Sequence, residues 1–448
     1  MTQSLGKNTA KTTKTKTKVV ITLDLGGSKT KTVLSIYPDG EPVVVVMEPE
    51  IADVSKESLT NLQADGVPEN RCWVGIEGEY YALGLLGRTA FGGLSMLRDL
   101  KYTLAVPKIC GILWVVKEKL KLDGSLEAYV AVLLPPGEVA DSQALGLKLK
   151  EALKGFETPT GVMKVKLLNF AAHPEGNGVL IHRIFSLGEE EYSSKTLALV
   201  MIGFRNASAF VSVNGVITTG VSSEFGMSWM VNKFVSKCSG LSKDDPKVVQ
   251  ALVQAGVECN SASFTKLSRK RKSEEIADDA GAMSAAAKLS RDEYARAISR
   301  WIRSTIPANT HEIVLCGGTA EYVRAELNTY FEKEGIAVVW NGGVEVPSTV
   351  DTSGMGSRLA DVWAQHEAFI ELVDELTGYS RQAPFEVAPA SVTPVSASTG
   401  ATPTDYSTTT SGYVSLYKNI RVADPDRPSS SNTPYVEPKG VLKSHDKQ

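Results

Sequence analysis

The residues best suited to chemistry in this chain sit in short glycine-bearing loops between apolar strands. The first is Asp24-Leu25-Gly26-Gly27-Ser28-Lys29-Thr30-Lys31. Glycines let backbone N–H groups turn inward and approach a phosphate closely. Ser28 and Thr30 offer hydroxyls, and Lys29 or Lys31 offers a cation. Asp24, at the end of a strand pattern, is placed to hold the waters around Mg²⁺, which keeps much of its hydration shell beside phosphates. The G-x-x-x-x-G-K-[ST] order is absent and a strand follows, so this is not a P-loop. An ordinary glycine hairpin is the alternative.

Four further segments stand out. Glu312-Ile313-Val314-Leu315-Cys316-Gly317-Gly318-Thr319-Ala320-Glu321 reads as a buried strand, two glycines and a helix start. That order brings backbone close to a flat ring or a phosphate, with the helix N-terminus facing it. Val200-Met201-Ile202-Gly203-Phe204-Arg205-Asn206-Ala207-Ser208 has the shape of a second phosphate hairpin, with Gly203 in the turn and Asn206 beside it. His173-Pro174-Glu175-Gly176 carries a carboxylate, Glu175, able to orient or deprotonate an attacking water. Each also has a plain reading, as a turn or a surface glutamate. Leu133-Leu134-Pro135-Pro136-Gly137 reads as a strand ending in a rigid, structural turn.

The elements that must position these loops alternate between strand and helix. Apolar β-patterns run at Val19–Leu25, Lys31–Ile36, Pro42–Met47, Tyr129–Leu134, Val162–Leu168, Val179–Phe185, Thr196–Ile202, Ser208–Val213, His311–Cys316 and Ala337–Trp340. Such alternation predicts an α/β chain with mixed sheets. A strand–glycine–strand unit at 19–36 is echoed at 196–213, as a duplicated nucleotide clamp would leave behind. Ser239–Ser290 reads as helical and polar, with a basic run from Lys266 to Lys272. That run is a solvated face or a contact for an acidic partner, nucleic acid or a neighbouring protomer.

Bulk properties bound the rest. The chain has 448 residues, 42% of them hydrophobic, enough for two or three domains with real cores. A net charge of −3 gives no argument for nucleic acid or membrane. The five cysteines are scattered, with no C-x-x-C pair, and read as reduced thiols. No stretch reaches the about 18 apolar residues of a membrane helix, and no signal-peptide pattern follows the N-terminal lysines, so a cytoplasmic location is expected. Residues 1–17 (Lys/Thr-rich) and 382–448 (Ser/Thr/Pro-rich) are expected to be disordered tails. No helix-turn-helix, zinc pattern or RNA-binding aromatic motif is present, so direct sequence-specific nucleic-acid binding is not expected.

The order of pieces – phosphate hairpin, carboxylate turn, second hairpin, strand–Gly-Gly–helix – resembles the actin superfamily. The Leu-Pro-Pro-Gly turn and the Trp73-Val74-Gly75 … Tyr81-Ala82-Leu83-Gly84 segment are similar to the bacterial actin-like ParM/StbA (Alp-type) proteins. The resemblance covers roughly residues 18–370. It implies an α/β, duplicated actin-like (RNase H-like) fold of two lobes around a nucleotide cleft. The expected lobes are 18–190, with an inserted subdomain at about 40–130, and 191–370, with a helical one at about 225–300. Asp24, Gly26, Gly27, Ser28, Lys29 and Thr30 then match the first phosphate loop, Glu175 the residue that positions the hydrolytic water, and Gly203 the second loop. Gly317, Gly318, Thr319 and Ala320 fall on the adenosine motif. Gly220 and Glu224 fall where the family begins its second nucleotide-facing helix.

The resemblance further implies ATP (or GTP) and Mg²⁺ as cofactors, a homopolymer filament, and a small DNA-binding adaptor protein as partner. One departure is plain. The family places an aspartate where this chain has Met201, and methionine can neither hold metal-bound water nor take a proton. Nucleotide binding and polymerisation are therefore expected, with at most weak ATP hydrolysis. The alternatives are a cell-shape scaffold that hydrolyses slowly or not at all, and a sugar kinase. The kinase would need a general-base aspartate and, in many bacterial cases, a Cys/His zinc cluster, neither of which is evident.

Overall fold

In the computed structural model the described residues are 16–62, 66–94, 104–217 and 220–381. The expected disorder of residues 1–15 and 382–448 concerns positions outside this set. Lys16 and Thr17 belong to the opening strand, Lys16–Leu25, where they pair with Ser125 and Leu126. These two residues, expected in the N-terminal tail, are therefore part of the first sheet.

Two sheets carry the fold, and they are built alike. In the first, the spatial order is Val165–Pro174, Ser125–Leu134, Lys16–Leu25, Thr30–Ile36, Val43–Met47. The opening strand pairs antiparallel with its hairpin partner and parallel with Ser125–Leu134. In the second, Thr196–Ile202 pairs antiparallel with Ala207–Val213 and parallel with Glu312–Cys316, beyond which lies parallel Ala337–Trp340. Each sheet therefore leads with a hairpin and continues with two parallel strands. The leading strands are buried on both faces: Thr196–Ile202 is almost wholly apolar, while the opening strand places Thr22 and Asp24 on one of its buried faces. A third sheet, Ile51–Val54, Glu79–Leu83, Trp73–Ile76, Phe156–Thr158 and Gly161–Met163, is antiparallel throughout.

Two expected strands are corrected. Val179–Phe185 lies inside a helix, Asn177–Leu187. A short, mostly apolar segment, broken here by His182 and Arg183, does not distinguish strand from buried helix. Gly176, at φ +90°, turns the chain out of the preceding strand, and the helix then buries Val179, Leu180, Ile181 and Ile184. Val162–Leu168 is split at Lys164: Gly161–Met163 joins the third sheet, and Val165–Pro174 joins the first. The polar segment at 239–290 forms the helix Pro246–Ala255, a 3-10 stretch Ser261–Leu267, and the start of the long helix Ser273–Thr305.

Each main sheet has its own core. The helix Ala105–Lys119 packs Trp114, Ile109 and Leu113 against the first. Tyr294, Phe234, Phe264 and Phe331 gather on the second. Two helices join these bodies. Asn177–Leu187 crosses the last helix, Ala360–Thr377, at Gly178, where a Cβ would fall 2.3 Å from the Asp361 carbonyl oxygen and 2.5 Å from Gln365 N. Beyond the crossing the last helix lays Phe369, Ile370 and Val373 on Val20, Tyr129 and Ala131 of the first sheet. No helix among the described residues is long and apolar enough to cross a membrane.

Candidate nucleotide-binding cleft

Hairpin register places the first charged pair. Asp24 stands opposite Lys31 across the two strands, and Lys31 Nζ lies 2.5 Å from Asp24 Oδ2. Asp24 is only 2% exposed, so its charge depends on that partner. The loop between them is tight: a Cβ on Gly26 would lie 2.7 Å from the Lys29 carbonyl oxygen. Thr30 is buried in the ladder opposite Leu25. Lys29 donates to Glu48 Oε1 at 2.6 Å, so its ammonium is engaged by that carboxylate. Lys31 is the lysine that sits on Asp24, and it also donates to the Arg358 carbonyl oxygen at 3.0 Å.

The second hairpin turns on Gly203, whose N–H donates to the Asn206 carbonyl at 2.9 Å. Thr319 Oγ1 donates to the Gly203 carbonyl at 2.8 Å, joining this hairpin to the Gly-Gly segment. Gly317 has φ +97°, and a Cβ there would lie 2.5 Å from the Ile202 carbonyl oxygen. Only glycine lets the two strand ends approach so closely. Asn206 Oδ1 accepts from Arg205 Nε at 2.7 Å, and Arg205 Nη2 donates to buried Glu138 Oε1 at 2.6 Å. Glu138 follows the Pro-Pro-Gly turn, which the sequence reading took as structural alone. That turn therefore also clasps the second hairpin.

Glu175, 8% exposed, follows the strand Val165–Pro174, its N–H donating to the Leu134 carbonyl at 2.8 Å. The helix after it is capped from far along the chain. Asp361 Oδ2 accepts from Gly176 N at 2.7 Å, and Oδ1 accepts from Gly178 N at 3.0 Å and Val179 N at 3.4 Å. A carboxylate at a helix N-terminus is favoured by the unpaired amides there. Burial nevertheless pushes the Asp361 carboxyl up to about 7; the Gly176 and Val179 amides pull the other way, and neighbouring Asp24 adds to the rise. Met201 pairs with Cys316 in the second sheet and packs with Val179, Leu180, Leu199 and Ala360. The position where the resemblance calls for a carboxylate is thus lined by apolar groups.

Arg358 ties the cleft together. Its Nη2 donates to Ser28 Oγ at 3.2 Å, and its side chain lies against Gly318, with Nε 3.3 Å from where a Cβ would stand. Residues 24–31, 175–179, 203–206 and 317–319 therefore converge on one place, closed by 358–361. Glu224 is exposed at the turn into the helix Met227–Val235, and no contact recorded for it draws it toward these loops. A Cβ on Gly220 would strike the Phe210 ring at 2.4 Å, a packing reason for that glycine. The sequence reading missed Arg358, Asp361 and Glu138, and it ranked Lys29 with Lys31. Counting register across the hairpin would have singled out Lys31. Arg358 and Asp361 lie more than 180 residues from their partners and carry no local signal.

No family model matches the sequence, and no curated protein matches it by sequence. By structure the chain is similar to the archaeal actin homologue Ta0583. The native structure of that protein aligns with a TM-score of 0.52 at 14% identity, over 78% of this chain and 99% of that one. This is the actin-like fold. The Ta0583 complex with ADP aligns with a TM-score of 0.50 at 14% identity over the same shares. The apo pSK41 ParM structure aligns at 0.47 and 16% identity, over 80% of this chain and 99% of that one. In actin-like terms the two hairpin-led sheets are the cores of the two lobes, and the five converging segments line the cleft between them.

Proposed function

We propose that this chain is a filament-forming actin-like protein of the ParM type. It binds ATP (or GTP) with Mg²⁺, polymerises on binding, and serves plasmid or DNA segregation through a small DNA-binding adaptor, or acts as a cytoskeletal scaffold. The observation that carries the reading is that the first glycine hairpin and the Gly317-Gly318 turn meet at Arg358, while Thr319 ties the second hairpin to that turn. The donor set suits a nucleotide: glycines whose Cβ atoms would strike backbone, the Ser28 hydroxyl, and the cations Lys31 and Arg358. Gly26, Gly27, Ser28 and Lys31 would hold phosphates, and Gly317, Gly318 and Thr319 would face the nucleoside. Among the described residues no three acidic, His or Cys groups gather as direct metal ligands. Asp24 would therefore act on Mg²⁺ through water, the ion offsetting phosphate charge. Glu175 would orient the attacking water.

A second reading is favoured by Met201. The second hairpin offers no carboxylate at that strand end, and Asp361 is committed to three backbone amides. Turnover would then be slow and the polymer long-lived. Negative-stain microscopy with ATP, ADP and a non-hydrolysable analogue, paired with phosphate release, tests both. Nucleotide-dependent filaments with phosphate release support the ParM-type cycle. Filaments in every nucleotide without release support the scaffold. Absence of filaments throughout, or release that depends on added sugar, overturns both.

A further inference from the structure

Arg358 is held in an unusual electrostatic position. It lies in the turn Gly356–Leu359, just before the last helix, and is partly buried. Among the described residues no carboxylate comes within 4 Å of its guanidinium, whereas every other arginine there that is not exposed has such a partner. Arg183 on Glu312 and Arg291 on Glu326 are examples. Burial lowers the proton affinity of Arg358, and the charge of Asp24 offsets part of that. Its one recorded side-chain hydrogen bond among the described residues goes to a neutral hydroxyl, Ser28 Oγ. Lys31, the other cation of the cleft, is already matched by Asp24.

A guanidinium carries five N–H donors in a planar fork suited to carboxylate or phosphate oxygens. Desolvated without an anion, it is the group in the cleft whose charge is unspent. It spans the first phosphate loop, at Ser28, and the start of the helix after Gly317-Gly318. We infer that Arg358 is a phosphate-binding residue, closing on the phosphates of a nucleotide between the Ser28 loop and Gly318. The assignment rests on the nucleotide-cleft reading and adds to it a cation supplied from the segment entering the last helix. Three residues on, Asp361 holds the amides that follow Glu175. The segment that meets the phosphates is thus the one that fixes the Glu175 turn.

The test uses the full-length protein with a fluorescent ATP analogue, displaced by ATP, ADP or adenosine. Wild type is compared with Arg358→Gln and Arg358→Lys, each checked by a thermal melt without nucleotide. Loss of a charge-assisted hydrogen bond to phosphate predicts about ten- to hundredfold weaker ATP and ADP binding in Arg358→Gln. Adenosine affinity should be unchanged, and Arg358→Lys, which keeps the charge but not the fork, should fall between. If the glutamine chain does not fold, the lysine chain decides: weakened ATP binding supports the assignment and unchanged binding overturns it. Arg358→Gln binding ATP within twofold of wild type, or losing adenosine equally, overturns it alone. A wild-type chain that binds no nucleotide overturns the cleft reading and this assignment with it.

Discussion

Asp24 and Met201 occupy matching places, each two residues before the first glycine of its hairpin. Their surroundings differ in kind. Asp24 meets the Lys31 ammonium, while Met201, 7% exposed, meets apolar side chains and Cys316. Introducing a carboxylate at 201 would bury a charge with no cation recorded beside it. Met201→Asp is therefore expected to cost about 2–4 kcal/mol in urea unfolding rather than to restore catalysis; a variant as stable as wild type, with faster phosphate release, would contradict this. At the first hairpin, Asp24→Asn leaves Lys31 without its counter-charge and removes the carboxylate proposed to act on Mg²⁺ through water. Nucleotide binding in the presence of Mg²⁺ should be lost, and titration that still shows wild-type affinity would refute the role given to Asp24.

At the scale of elements, the crossing of Asn177–Leu187 with Ala360–Thr377 depends on Gly178. The atoms a methyl group would strike are backbone, which cannot rotate aside. Gly178→Ala should destabilise the fold by about 1–3 kcal/mol, read as a lowered melting temperature. The last helix also pins the opening hairpin through His366, whose ring nitrogens lie 3.1 Å from Thr22 Oγ1 and 3.0 Å from Ser35 Oγ. A neutral ring donates to one hydroxyl and accepts from the other. Burial pushes the His366 pKa down to about 3, and that of His173 to about 4. An unfolded imidazole titrates near 6.5, so between these limits the unfolded chain binds more protons. Stability from His366 is full above about pH 6.5 and is lost as the pH falls; at pH 5 the loss is about 2 kcal/mol. His173 adds a slope of the same sign, and the raised Asp361, Glu367 and Glu371 carboxyls one of the opposite sign, so the His366 part is read by difference: from pH 7 to 5, His366→Gln should lose about 2 kcal/mol less stability than wild type.

At the scale of the whole molecule, two hairpin-led sheets and a pair of crossing helices make one cleft. Assembly should depend on this body and not on the Ser/Thr/Pro tail. Deleting residues 382–448 is expected to leave nucleotide-dependent filaments intact by light scattering and microscopy; their disappearance would assign the tail a part in assembly. Much of the body was legible in the residues. Thr196–Ile202, buried throughout, and Ala337–Trp340, a half-buried edge strand, match their expected bounds because both are written as nearly continuous apolar runs. The Asp24 and Gly203 hairpins were legible because glycine turns are local chemistry. Val179–Phe185 was not, since a short apolar run is silent on whether it buries as strand or helix.

The sequence by itself determined the alternation of strand and helix, the two glycine hairpins with their internal echo, and a methionine rather than a carboxylate at 201. These rest on interactions within a few residues, which composition and spacing record. Tertiary structure alone decided which charges meet. Lys31 rather than Lys29 faces Asp24, Asp361 caps a helix that begins at Asn177, and Arg358 lies between Ser28 and Gly318. Those partners are brought together by sheet register and by the helix crossing at Gly178, and a hydrogen bond or ion pair leaves no trace in the spacing of residues so far apart.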